Sequence, residues 1–281
     1  MPRGLTLSGA RVVITGGASG LGRQMALGAA GRGADEVIIW DRATDRAAAV
    51  CAEITAVGCR ARAISVDITD RDAVRAAASD TGDVDVVINS AGVVSGKKLL
   101  DISEEEIQHT FDVNALALYW VTRAFLGGMI DRDRGTVVTI ASAAGLVGVS
   151  QQTDYSASKW AAIGFTESLR HELRTSQSKV HTLIVAPYYI NTGMFDGVTT
   201  KFPALLPILD EQEVATKILN AIEAGREQLI LPWLPRLMPM MRVLPVRVFD
   251  KVIDLFGINQ TMARFTGRRS DVAVAQPRAD R

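Results

Sequence analysis

Along the first 231 residues, short apolar runs alternate with longer stretches in which apolar residues recur every three or four positions. The runs read as strands at Arg11–Thr15, 36–40, 61–66, 84–89, Thr136–Ile140, 180–185 and Gln228–Leu231. Helical periodicity falls between them, at 23–32, 43–57, 71–79, 103–129 and from about 154 to 173. A last helix follows Asp210 through Val214, Ile218 and Ile222. Two of these helices carry start signals: Ser103 before three acids, and Asp210 with Glu213 three residues on. Several strands are apolar throughout, so both of their faces are buried, and strands that alternate with helices build a parallel sheet covered on both sides. The pattern predicts an α/β fold, a doubly wound parallel sheet of about seven strands forming one domain over residues 1–231.

The pattern changes beyond residue 231. Residues 229–265 stay apolar, but Pro232, Pro235, Pro239 and Pro245 break the run, and Arg236, Arg242 and Arg247 interrupt it. Those breaks exclude a spanning helix, which needs about 20 mostly apolar residues. Residues 246–256 read as a short amphipathic helix with Val248, Val252 and Leu255 on one face. The extension, 232–269, is expected to pack on its own chain or on a subunit of the same kind; peripheral contact with a membrane surface is the alternative. Residues 270–281 have little to bury and are expected to be disordered.

Composition narrows the function. The 281 residues suffice for one full core. Lys and Arg number 31 against 31 Asp and Glu, so no basic field invites nucleic acid. The first ten residues hold no continuous apolar stretch, so neither a secretory signal nor an anchor is expected, and the location expected is the cytoplasm. Cys51, Cys59, His109, His171 and His181 lack metal-ligand spacing, so no metal site is expected.

Two stretches carry chemistry. The first strand runs into Gly16-Gly17-Ala18-Ser19-Gly20-Leu21-Gly22 and then into a helix. In that context the glycines let backbone approach a pyrophosphate, and the helix N-terminus offers free N–H groups to it. Asp41 ends the second strand about 20 residues beyond Gly22, where a carboxylate accepts from ribose hydroxyls and repels a 2′-phosphate, which favours NAD over NADP. Two other readings stay open there: Arg42 can reach a phosphate, and Asp41 can cap the next helix. The second stretch, 142–159, places Tyr155 and Lys159 four residues apart on one helix face. A fixed cation favours the phenolate and makes Tyr155 a candidate acid/base, with Ser142 at a strand end to hold a substrate oxygen. Asn114, in an apolar helical run, reads either as a buried structural amide or as a group that does chemistry.

Taken in order, these residues resemble the short-chain dehydrogenase/reductase family over roughly residues 7–231. Thr15, Gly16, Gly20 and Gly22 correspond to the family's nucleotide loop, Asp67 to its acid beside the adenine ring, and Asn89-Ser90-Ala91-Gly92 to its Asn-Asn-Ala-Gly motif, with Ser90 in place of the second Asn. Asn114, Ser142, Tyr155 and Lys159 match the catalytic tetrad, which moves Asn114 from structure to chemistry, holding a water next to Lys159. Pro187, Ile190 and Thr192 match the segment that receives the nicotinamide carboxamide, although Tyr188 stands where the motif has Gly. The resemblance implies a Rossmann-type fold and an NAD site made by Gly16, Ser19, Gly20, Leu21, Gly22, Asp41, Asp67, Ile68, Asn89, Ala91, Gly92, Tyr155, Lys159, Pro187, Ile190 and Thr192.

The stretches around Asn89, Tyr155 and Pro187 look most like the retinol dehydrogenase and 17β-hydroxysteroid dehydrogenase branch. That implies a lipophilic alcohol or ketone as substrate, a pocket formed by Ser142, Tyr155, Tyr188 and Met194, and a homodimer or homotetramer. Residues 194–209 read as an apolar lid over that pocket or as an ordinary packed loop. An NADP-dependent reductase of a polar metabolite and a non-catalytic nucleotide sensor are the competing readings. Asp41 and the apolar lid oppose the first; the retained Ser142, Tyr155 and Lys159 oppose the second.

Overall fold

Seven parallel strands lie in the order β3-β2-β1-β4-β5-β6-β7. In chain order they alternate with helices: β1 (Arg11–Thr15), α1 (Gly20–Ala30), β2 (Glu36–Asp41), α2 (Thr44–Ala56), β3 (Arg60–Ser65), α3 (Arg71–Thr81) and β4 (Val86–Asn89). Then follow α4 (Glu104–Phe111), α5 (Ala117–Asp131), β5 (Thr136–Ile140), α6 (Thr153–Thr175), β6 (His181–Pro187), α7 (Glu211–Glu223) and β7 (Gln228–Leu231). This computed structural model describes residues 4–267, so the disorder expected for 270–281 lies outside the described residues. The winding direction reverses between β1 and β4, and the crevice outside the carboxyl ends of the strands at such a reversal is where ligands bind. Register brings those ends level: Thr15 pairs with both Trp40 and Asn89, and Ile140 with Val185.

The alternation along each strand divides the core into two faces. Val12 and Ile14 pack with Met25, Ile218 and Ile222 on one side, under α1 and α7. Val13, Ile38, Trp40 and Val87 pack with Phe125 and Met129 on the other, under α3 and α5. The edge strand β3 is the polar exception, reading RARAIS, and Arg62 answers for it by pairing with Glu36 at 2.9 Å.

The single helix expected over 103–129 is three segments. Ser103 and Glu106 form a reciprocal capping box at the start of α4, and a π-helical turn, Asp112–Leu116, separates α4 from α5. The apolar pattern runs through the turn without a break, so periodicity does not reveal it. Such a turn adds a residue to the helix and re-aims the side chains within it, Asn114 among them. The stretch Glu104–Asp131 is long and apolar enough to cross a membrane, yet half of its apolar window is buried inside the protein.

Beyond β7 the chain turns through Leu234–Leu237, a short helix α8 (Met238–Met241) and the amphipathic helix α9 (Val246–Leu255). Met238, Ile253 and Ile258 bury against Val147 and Leu206. Arg242 fastens the segment: its guanidinium donates to the Leu146 carbonyl and lies 4.2 Å over the Trp160 ring. These residues roof the crevice.

Candidate active site

A cavity of about 580 Å³ opens at the carboxyl ends of the strands. One end is built of backbone. Gly16 has φ +69, and a Cβ there would stand 2.9 Å from the Ala91 Cα; a Cβ on Gly22 would meet the Gly16 carbonyl oxygen at 2.2 Å. Only glycine fits either position, and the loop they form opens directly into α1 at Gly20. Thr15 Oγ1 accepts from the Ser90 and Ala91 N–H groups at 3.0 and 3.2 Å, locking this turn to the one after β4. The result is a rigid cradle of N–H groups at a helix N-terminus, which fits the pyrophosphate of a dinucleotide.

Asp41 closes the cradle on the β2 side. Its carboxylate accepts from the Ala18 N–H at 3.0 Å and from the Ala43 N–H at 2.9 Å, so it braces the glycine loop and starts the next helix while lining the cavity. Beside it Arg42 pairs with Asp67 at 3.3 Å. Burial alone would raise the Asp67 pKa, but bonds from Thr69 and the Arg42 charge outweigh it and hold the carboxyl below its ordinary value. Asp67 therefore stays anionic at neutral pH. Arg46 also reaches this end of the cavity.

At the other end α6 delivers Tyr155 and Lys159 to the end of β5. Lys159 Nζ donates to the Ile140 carbonyl at 2.9 Å and lies 5.6 Å from the Tyr155 ring centre. Ser142 starts a short helical turn, accepts from the Ala144 N–H at 3.1 Å, and hydrogen-bonds the Tyr155 hydroxyl. Burial governs both titrating groups. It pushes the Tyr155 phenol well above its ordinary value, which the Ser142 bond only partly offsets, and it brings the Lys159 ammonium down to about 8. This differs from the expectation that Lys159 lowers the Tyr155 pKa: here the ammonium is bound to a backbone carbonyl, and loss of water decides the direction.

Of the residues named from the sequence, the cavity gathers Gly16, Ser19, Gly20, Leu21, Gly22, Asp41, Asp67, Ile68, Ala91, Gly92, Ser142, Tyr155, Lys159, Pro187, Tyr188, Ile190, Thr192 and Met194. Asn89 and Asn114 stand behind it. Asn89 donates to Thr122 Oγ1 at 3.3 Å. Asn114 Oδ1 accepts from the Val93 N–H, and its Nδ2 donates to the Val93 carbonyl and to Ser158 Oγ. The Asn114 amide holds backbone and a hydroxyl, fixing the segment that follows Gly92 against α6.

Sequence reasoning missed two features, Asp154 and Gln152. Asp154, buried, accepts from Ser95 Oγ at 3.0 Å and from Thr110 Oγ1 at 2.8 Å and ties the β4 loop and α4 to the start of α6. Gln152 lines the cavity. The extension supplies Leu237, Met238, Met241, Ile253 and Phe256 to the apolar wall. Its proline-broken apolar pattern was the signal for that wall; partners brought together only by tertiary structure left none for Asp154 and Gln152.

A doubly wound sheet with a glycine cradle at its crossover and a Ser–Tyr–Lys cluster at the far end of one cavity defines an NAD(P)-dependent oxidoreductase. The short chain dehydrogenase family profile matches residues 10–202. The chain is 39% identical to epidermal retinol dehydrogenase 2 of Mus musculus over 272 residues, 94% of this chain and 87% of that protein. It is 33% identical to 17-beta-hydroxysteroid dehydrogenase 13 of Homo sapiens over 81% of this chain and 76% of the relative. Among solved structures, a short chain dehydrogenase/reductase from Burkholderia phymatum in complex with NAD superposes with a TM-score of 0.76 at 25% identity, covering 89% and 96% of the two chains. The chain belongs to the short-chain dehydrogenase/reductase family, in the branch that holds retinol and 17β-hydroxysteroid dehydrogenases.

Proposed function

We propose that this protein is an NAD-dependent dehydrogenase that interconverts a lipophilic alcohol and its carbonyl compound. The observation that carries the reading is the union, in one cavity, of the Ser142–Tyr155–Lys159 cluster with walls that are mostly apolar. Similarity to a retinol dehydrogenase and to a hydroxysteroid dehydrogenase supports the lipophilic substrate. The Asp41 carboxylate on the cradle supports NAD, because an anion there disfavours a 2′-phosphate.

A bound nicotinamide supplies the hydride acceptor in oxidation and the donor in reduction. Ser142 Oγ and Tyr155 Oη hold the substrate oxygen; in oxidation Tyr155 acts as the phenolate and takes the alcohol proton as the carbonyl forms, and in reduction the phenol gives that proton back. Lys159, buried beside the ring and held by the Ile140 carbonyl, belongs to the cofactor end of the cavity that it shares with Tyr155. Asn114 acts through position, keeping the wall at Val93 and Gly92 close to Lys159.

The test is NADH formation by the purified protein with retinol, hydroxysteroids and simple secondary alcohols, each with NAD and with NADP. Turnover of bulky apolar alcohols with NAD supports the reading; activity with NADP alone removes the cofactor half, and activity confined to polar alcohols removes the substrate half.

We also infer self-association across the exposed Leu116, Tyr119 and Trp160, and peripheral membrane contact through Met240, Val243 and Val246, which stand 72%, 87% and 74% exposed next to Arg242 and Arg247. Light scattering tests the first. Flotation with anionic vesicles, before and after Val243→Asp, tests the second.

A further inference from the structure

Three polar side chains from distant parts of the chain, Gln152, Tyr189 and Thr261, form one file. Thr261 Oγ1 donates to the Ile258 carbonyl at 2.9 Å. A hydroxyl has one proton, so toward Tyr189 Oη, 2.8 Å away, Thr261 can only accept. Tyr189 spends its own proton on that bond and receives one from Gln152 Nε2 at 3.2 Å. The order of donors thus fixes the Gln152 amide, with nitrogen toward Tyr189 and Oε1 away from it. That oxygen is buried and meets no donor among the described residues, although Gln152 is 1% exposed and lines the cavity. An unpaired buried acceptor is costly, and few buried side-chain oxygens are left so.

Its place in the fold relates it to the chemistry. Gln152 accepts the first helical bond of α6, from the Ser156 N–H at 2.7 Å, and precedes Tyr155 by three residues. Residues three apart at a helix start are neighbours, with Cβ atoms roughly 5–6 Å apart. Oε1 is covered, but Gln152 itself lines the cavity, so a molecule seated there meets the oxygen once the amide shifts toward it.

We propose that Gln152 is a specificity-determining residue: its Oε1 accepts a hydrogen bond from a second hydroxyl of the substrate, set within two or three carbons of the carbinol that Tyr155 deprotonates. The substrate class is an otherwise apolar diol or ketol. The proposal rests on the dehydrogenase reading above and narrows it.

The test compares kcat/KM for matched alcohols with and without a hydroxyl on the neighbouring carbon: trans-cyclohexane-1,2-diol against cyclohexanol, and a vicinal steroid diol against its mono-alcohol. Gln152→Met keeps length and removes the acceptor. It is expected to lower the diol-to-alcohol ratio about 10- to 100-fold, chiefly through KM, while Gln152→Glu, which keeps an acceptor, restores most of the preference. Gln152→Ala reads the same ratio if the Met variant does not fold. A ratio that stays within about twofold of wild type in Q152M or Q152A overturns the proposal. Failure of wild type to oxidise any alcohol of either kind is a different result; it removes the dehydrogenase reading and this proposal with it.

Discussion

Lys159 Nζ donates to the main-chain carbonyl of Ile140 at 2.9 Å, and this bond joins the catalytic helix α6 to the end of β5. The ammonium is buried, and no carboxylate is among the causes that set its pKa. A buried cation held by one carbonyl is poorly compensated, which is why its pKa falls from 10.5 to about 8.

That cost predicts a trade between stability and activity. At pH 7 the group is protonated in both the folded and the unfolded chain, and the folded state bears the full desolvation cost. Between pH 8 and 10.5 the unfolded chain binds more protons, so this group's contribution makes stability rise with pH across that window. Lys159→Met is expected to be more stable than wild type at pH 7 by about 1–3 kcal/mol, with the gain shrinking toward pH 10. Its turnover is expected to collapse. Thermal melts of both proteins from pH 7 to 10 check this, and a variant less stable than wild type at pH 7 contradicts it.

Tyr155→Phe keeps the ring packed against Phe195, whose centre lies 5.7 Å away, and removes only the hydroxyl. Alcohol oxidation is expected to fall about 10²- to 10⁴-fold with cofactor affinity retained, read by NADH fluorescence titration. In wild type, burial raises the phenol pKa, so the deprotonated fraction grows with pH and alcohol oxidation is expected to speed up from pH 7 to 9. Turnover that survives in the Phe variant would falsify the acid/base role.

The strands, the glycine cradle and the Ser142–Tyr155–Lys159 cluster are legible in the sequence because each depends on local order: a run of apolar residues, a turn that only glycine can make, a spacing of four on a helix. The π-helical turn at Asn114 is not, since the apolar pattern passes through it unbroken. Nor is the use of Asn114, whose partners Val93 and Ser158 lie 21 and 44 residues away. Asp41 shows a third case. Its position at the strand end marks it as a ribose ligand or as a helix cap, and the structure gives it bonds to Ala18 and Ala43, so the carboxylate braces the loop while it lines the cavity.

Because Asp41 both braces the cradle and sets its charge, replacing it separates the cofactors. Asp41→Ser keeps a short acceptor for the Ala18 and Ala43 N–H groups and removes one negative charge, leaving Arg42, Arg46 and the Asp67 that pairs with Arg42 at this end of the cavity. The ratio of kcat/KM for NADP over NAD is expected to rise at least about 10-fold, since like-charge repulsion of a phosphate is replaced by attraction. Steady-state kinetics with both cofactors check it; an unchanged ratio would mean that Asp41 acts only as a brace.

The segment 194–209 depends on a contact at the far end of the chain. Gly96, with φ +67, lies under the Phe265 ring so closely that a Cβ would stand 2.0 Å from a ring carbon. Phe265 in turn packs 6.4 Å from Phe195, the residue whose ring abuts Tyr155. The segment is tied to the same stretch by the Thr266 N–H bond to the Asp196 carbonyl and by the Thr199 N–H bond to Thr261. Gly96→Ala therefore meets both a strained backbone and an occupied space, and is expected to lower stability by about 1–3 kcal/mol. Phe265→Ala leaves the Gly96 backbone unstrained and loosens that segment alone. It is expected to raise KM for steroid-sized alcohols several-fold while moving KM for small alcohols little, because only a large substrate needs the Phe195 side of the wall. Parallel kinetics with retinol and cyclohexanol decide the matter: equal changes for both would show that Phe265 supports the fold as a whole and not the wall of the pocket.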